Sequence, residues 1–129
     1  MFRVISGVII ILHGLVHLWY VILSFGIVKY QAEMGWTGES WLFSRLLSKS
    51  TLGTTAGILF IASSILFVVS GIGVIANLSI YPRILLVSAL FSSIVILSFW
   101  DGESNLLVQK GVIGLLLNLL IILVTIILL

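Results

Sequence analysis

The chain has no cysteine, one proline and only 8% charged residues among its 129 positions. Without cysteine there is no disulfide, no thiolate metal site and no cysteine nucleophile, and the redox compartment leaves no mark on the sequence. A water-soluble domain of this size carries about 25% charged residues. So few charges cannot build a surface for water, and with 61% of residues hydrophobic the solvent that fits is a lipid bilayer. The formal charge of +2 is too small to imply nucleic acid as a partner and suits loops anchored to anionic headgroups. Carboxylates are absent from every long apolar run, and no serine stands in a nucleophile context. Hydrolytic chemistry is therefore not expected, nor is catalysis by this chain on its own.

Charge-free intervals run from Val4 to Val28, Ser50 to Pro82, Ile84 to Trp100 and Gly111 to Leu129. Crossing the hydrocarbon takes about 20 apolar residues, and the backbone must satisfy itself within each segment. The expectation is a single all-α transmembrane domain over 1–129: a polytopic four-helix bundle with spans at about 4–28, 53–76, 82–100 and 108–128. The first run outlasts a signal h-region and no A-x-A site follows it, so it reads as a retained span. Pro82 suits a first helical position, with Tyr81 and Arg83 as interfacial anchors. "WDGESNLLVQK" reads as a short turn, its Asp101 and Glu103 solvated. The loop 29–52 is longest and holds Trp36 and Trp41. From Thr37 onward its Trp41, Leu42, Arg45, Leu46 and Lys49 recur at helical spacing, so a short interfacial helix is expected there. Lys29, Arg45, Lys49 and Lys110 lie on one side against Arg3 and Arg83 on the other. The positive-inside rule then makes this a multi-pass cell-membrane protein with loops one and three cytoplasmic.

Polar and small residues keep to stripes. Ser6, His13, His17, Tyr20 and Ser24 share one side of the first span. Ala56, Ser63, Ser70 and Asn77 fall every seven residues in the second. Ser88 and Ser92 are four apart in the third, and Gly111, Gly114, Asn118 and Thr125 share a face in the fourth. Lipid tails are as apolar as leucine, so helices in a bilayer meet through small residues and interhelical hydrogen bonds. The stripes are expected to face inward, with Gly53-x-x-x-Gly57 a close-approach site and Gly71-Ile72-Gly73 a point where the second helix could loosen.

Counted from the span ends, Ser63, Ser92 and Asn118 fall near the midplane, bracketed by His13 and His17. Intramembrane imidazoles mark a functional site by default, so these five residues form the candidate cofactor-binding cluster. No metal is expected, because third and fourth ligands are missing and two histidines on one helix cannot sandwich a haem. Neutral imidazoles with Asn118 and the serines could hold a quinone carbonyl or a lipid headgroup, or relay a proton. They could equally serve only as interhelical hydrogen bonds.

The opening "FRVISGVIIILHGLVHLW" and the closing "FWDG…LLVQKGVIGLLLNLLII" resemble DoxX-like small membrane proteins. That resemblance implies a four-helix integral membrane fold over most of the chain and, from some members, an association with quinone-linked redox chemistry. Three functions fit these features. The first is a small accessory subunit of a larger respiratory or oxidase-type membrane complex, with lipid, other subunits or a second copy as partners. The second is a DoxX-like protein binding a quinone or similar small molecule at the midplane cluster. The third is a small carrier or channel.

Overall fold

In the computed structural model the chain is all-helical. The backbone is described for residues 1–129, and the side chains for all of them except Ala32 and Leu128. The α-helices are α1 (Phe2–Ser24), α2 (Lys49–Ile75), α3 (Tyr81–Ser98) and α4 (Val112–Leu128), with one turn of 3-10 helix at Ala32–Met34. The first three are long and apolar enough to cross a membrane. The fourth is apolar but has 17 residues, about 25 Å at 1.5 Å per residue, against a hydrocarbon core of about 30 Å.

Two helices are shorter than the expected spans, and left-handed glycines are the cause. At Gly26 (φ 65°) the chain leaves α1, and the amides of Gly26 and Ile27 bond back to Leu23 and Ile22. This is a Schellman cap, which glycine adopts without a Cβ penalty. At Gly111 (φ 102°) the same freedom sets the start of α4 at Val112 rather than at 108. Asn77 (φ 55°) caps α2 in the same way, its amide bonding to Val74 and that of Leu78 to Gly73. Asn77 is therefore an exposed cap and not the last member of an inward stripe.

The α1–α2 pair is packed closest, in antiparallel register. A Cβ added at Gly7 would stand 2.7 Å from the carbonyl oxygen of Gly71, and one at Gly71 2.6 Å from that of Gly7. Gly14 faces Ser64 and Phe67, and Gly53 faces the Ser24 carbonyl. The glycines of the Gly71-Ile72-Gly73 stretch thus serve close approach inside an unbroken helix, with Gly73 against Tyr81, and the expected loosening does not occur. Beyond this pair, α2 packs on α3 and α3 on α4. No comparable seam joins α1 to α4.

Loop one does not contain the expected interfacial α-helix. Residues 41–46 wind as turns, held by Ser44 N–H to Ser40 O and Leu47 N–H to Phe43 O. The donors of this segment are spent on the end of α3. A helix leaves its last carbonyls without partners. Here the Trp41 indole donates to Leu97 O (2.7 Å), the Ser40 hydroxyl to Ser98 O, the Trp36 indole to Phe99 O (2.7 Å) and the Trp41 amide to Trp100 O (2.7 Å). Four consecutive carbonyls are capped from another part of the chain. Asp101 is likewise not a solvated turn residue. It pairs with Lys110 at 2.6 Å, and the Lys110 and Asp101 side chains are only 6% and 7% exposed. Beside them the Thr37 hydroxyl is buried with no partner among the described residues. It borders a cavity of about 10 Å³, room for one bridging water.

Candidate functional site

Four of the five residues named from the sequence meet. His13 lies at the centre of α1, and His17 follows one turn later, about 6 Å along the axis. The stripe that carries them also holds Gly7, Gly14 and Val21, and this face turns toward the other helices. Behind the imidazoles stands α2, whose Phe67 ring packs edge-on against His13 (centroids 4.7 Å) and tilted against His17 (5.6 Å). Ser92 comes from α3 and Asn118 from α4; both are fully buried, and His17 is 2% exposed.

Hydrogen-bond accounting fixes the direction of every bond. His17 Nδ1 lies 3.1 Å from the His13 carbonyl, which can only accept, so Nδ1 carries the proton. In the neutral ring Nε2 is then a lone pair, and the Ser92 hydroxyl, 2.6 Å away, donates to it. Ser92 Oγ in turn accepts from Asn118 Nδ2 at 3.0 Å. Asn118 Oδ1 accepts from His13 Nε2–H at 2.8 Å. The ring closes: His13 to Asn118, Asn118 to Ser92, Ser92 to His17, and His17 back to His13. The second amide proton of Asn118 goes to Ser93 Oγ (3.2 Å), whose hydroxyl donates to Ala89 O (2.8 Å). One nitrogen is left over. His13 Nδ1 is a bare lone pair with no partner among the described residues, and it is not among the sealed, unpartnered side-chain atoms.

Ser63 stands outside this ring. It is fully buried on α2, but its hydroxyl donates to Leu59 O of its own helix at 3.0 Å. Ser70 and Ser88 also bond back to the carbonyl four residues earlier. Ser70 Oγ also lies 2.9 Å from Ser88 Oγ, joining α2 to α3, whereas Ser92 gives its hydroxyl to the His17 imidazole. Ser93 belongs to the network and lies off the stripe that marks Ser92; its only signal in the sequence is adjacency. The His-x-x-x-His spacing does not present a chelating pair, since both nitrogens of His17 are bonded. Among the described residues no group of three or more metal-ligating side chains comes together.

The ring borders an opening. Between α1 and α4, where the seam is missing, lies a cleft of about 260 Å³. His13, Val16, His17 and Tyr20 form one wall, Ile96 the floor, and Gly111, Gly114 and Leu117 part of the other wall. Its rim residues Val16, Ile113 and Leu117 are exposed, so it opens sideways. The two glycines keep it open: a Cβ at Gly114 would reach ordinary contact with Ile96, at 3.4 Å, and any longer side chain would fill the cleft. Tyr20 stacks on Phe60 (5.0 Å) and donates its hydroxyl to Gln109 O (3.1 Å), which ties α1 to the lead-in of α4 at the cleft's upper end. For scale, an apolar cavity of about 150 Å³ holds a benzene ring.

No family model matches the chain, and neither a curated protein nor a solved structure matches it.

Proposed function

We propose that the chain is an integral membrane protein with four spans, α4 being the fourth, and that it binds a lipophilic small molecule which enters from the bilayer between α1 and α4. The observation that carries this reading is the lateral cleft with an unspent side-chain acceptor, His13 Nδ1, on a mostly apolar wall. Small-molecule sites have this build: mostly apolar surface and a few placed polar groups that orient the ligand. A volume of about 260 Å³ takes one substituted ring, with a hydrocarbon tail left among the lipids. The two segments that resemble DoxX-like proteins, α1 and the run from Phe99 into α4, are the two that frame the cleft.

The test is what the protein carries. Wild type and Gly114→Leu are purified in mild detergent, extracted with organic solvent, and the extracts compared by mass spectrometry. A small lipophile retained by wild type and missing from the folded variant supports the proposal. Identical extracts refute it. The same purification addresses the accessory-subunit reading, in which exposed Leu116, Leu119, Leu120 and Leu123 of α4 would lie against partner helices; comigration with a large complex is its signature.

A further inference from the structure

We infer that the cleft selects ligands whose polar head is a hydroxyl that donates a hydrogen bond, such as a lipophilic phenol or the reduced, hydroquinone form of a quinone, and discriminates against quinones and other heads that only accept. This rests on the proposed ligand-binding role of the cleft.

Each donor on the site's side chains is already committed. His13 Nε2–H goes to Asn118, His17 Nδ1–H to the His13 carbonyl, and the Tyr20 hydroxyl to Gln109 O. Asn118 and Ser92 spend all their protons within the ring and on Ser93. What the side chains present to the cleft is therefore lone pairs, at His13 Nδ1 and on the Tyr20 oxygen. Ile113 and Gly114 on the other wall bring the first turn of α4 to the cleft. Ile113 and Gly114 have no acceptor for their N–H groups among the described residues, as the first turn of a helix leaves them. A hydroxyl head satisfies both kinds of group, since it donates to His13 Nδ1 and its oxygen accepts from the N–H groups. A quinone carbonyl satisfies only the amides and sets its own lone pairs against that of His13. An ether behaves as the carbonyl does.

The ring also explains why His13, and not His17, is the ligand-facing base. A hydrogen bond, or a proton, received at His13 Nδ1 leaves Nε2–H free to go on donating to Asn118, so the ring persists. A proton at His17 Nε2 would reverse its bond to Ser92 Oγ and leave the Ser92 hydroxyl proton without its acceptor in the ring. His13 can thus respond to a ligand while the interhelical network stays closed.

The experiment uses the whole protein in phospholipid nanodiscs, labelled with ¹⁵N-histidine. With two histidines in the chain, four ring nitrogens are observed. Three probes of matched shape are titrated: 4-nonylphenol, 4-nonylanisole and 2-nonyl-1,4-benzoquinone, with Gly114→Leu as the baseline for partition into lipid. The expected result is a bare-nitrogen signal from His13 Nδ1 that shifts with the phenol alone, and phenol binding about tenfold tighter than anisole or quinone. Tenfold corresponds to about 1.4 kcal/mol, within the range of one hydrogen bond. Quinone or anisole binding as tightly as the phenol in wild type, but not in Gly114→Leu, would overturn the donor selectivity and leave the cleft reading standing. If no probe binds above the Gly114→Leu baseline, the cleft reading fails and the selectivity with it.

Discussion

Replacing Asn118 by leucine tests whether the polar ring holds the bundle together. Leucine has as many side-chain heavy atoms as asparagine, so no cavity opens and the loss counted is the polar one. Asn118 makes bonds to His13 (2.8 Å), Ser92 (3.0 Å) and Ser93 (3.2 Å). Interhelical hydrogen bonds in membranes average about 0.6 kcal/mol and reach about 1.7, so the three amount to about 2 kcal/mol. Ser92 and Ser93 keep their own donated bonds, to His17 and Ala89, and lose only an accepted one. The orphan is His13 Nε2–H, whose unmet donor adds about 1 kcal/mol, the low end for a group that is only half-buried. The expected destabilisation is about 3 kcal/mol, read from reversible SDS unfolding in bicelles by circular dichroism. Ser93→Ala removes one peripheral bond from the ring and should cost under about 1 kcal/mol. A double-mutant cycle between His13→Ala and Asn118→Leu should give a coupling of at least about 0.5 kcal/mol, as contacting residues do. A loss for Asn118→Leu within about 0.5 kcal/mol of zero, or a cycle that sums without coupling, would refute the account of the ring as an interhelical tie.

Three further outcomes follow from the packing. Single cysteines introduced at positions 2 and 105 should be labelled by an impermeant maleimide from opposite sides of sealed vesicles; labelling of both from one side contradicts four spans. Gly14→Val should lower the unfolding midpoint clearly, by about 1–3 kcal/mol in overpacking cost, because its Cβ would stand 2.7 Å from Phe67 Cβ and 3.1 Å from the Ser64 carbonyl oxygen; an unchanged midpoint would show that α1 and α2 are not held at this distance. Lys110→Met should be more harmful than Lys110→Met combined with Asp101→Leu, since one buried charge left alone costs about 3–5 kcal/mol whereas an apolar pair is often tolerated; a double variant worse than the single would mean the pair is open to water.

What was legible in the sequence was whatever depends on spacing along one helix. His13 and His17 share a face because 3.6 residues make a turn, and Asn118 and Ser92 match them in depth because span ends fix depth. Spacing and depth alone thus bring four residues of the ring to one level. It failed at Ser63 because a serine hydroxyl in a helix chooses between its own i−4 carbonyl and a neighbour, and only the neighbour's placement decides. Ser92 finds the bare Nε2 of His17, while Ser63 takes the carbonyl of Leu59. The end of α1 differs because the apolar run continues through Gly26, where the backbone turns left-handed although hydrophobicity does not change, and α4 starts after 108 because Gly111 is left-handed too. In loop one, helical spacing of Trp41, Leu42, Arg45 and Leu46 was overridden from outside: the carbonyls at the end of α3 needed donors, and Trp36, Ser40 and Trp41 supply them. The missing seam between α1 and α4 has no periodic signature, since an unpaired helix face and a paired one are equally apolar when lipid is the solvent.

The open seam and the bare nitrogen belong together. A ring of polar groups is tolerated in an apolar phase when each donor meets an acceptor within it, and this one closes with a single acceptor left over. Were α1 and α4 packed along their length, His13 Nδ1 would be sealed without a partner, at about 1–3 kcal/mol. Rotating His13 so that Nδ1 met Asn118 would only move the bare position to Nε2, because a neutral imidazole has one proton for two nitrogens. Nor can Asn118 cover it, since both amide protons are committed to serines on α3. Any arrangement of this ring therefore exports one lone pair, and the fold places it on the side where the helices part and where Gly111 and Gly114 withhold side chains. An interhelical tie needs only the closed ring; the exported lone pair and the cleft beside it are what the tie leaves unexplained and a hydroxyl-headed ligand would use.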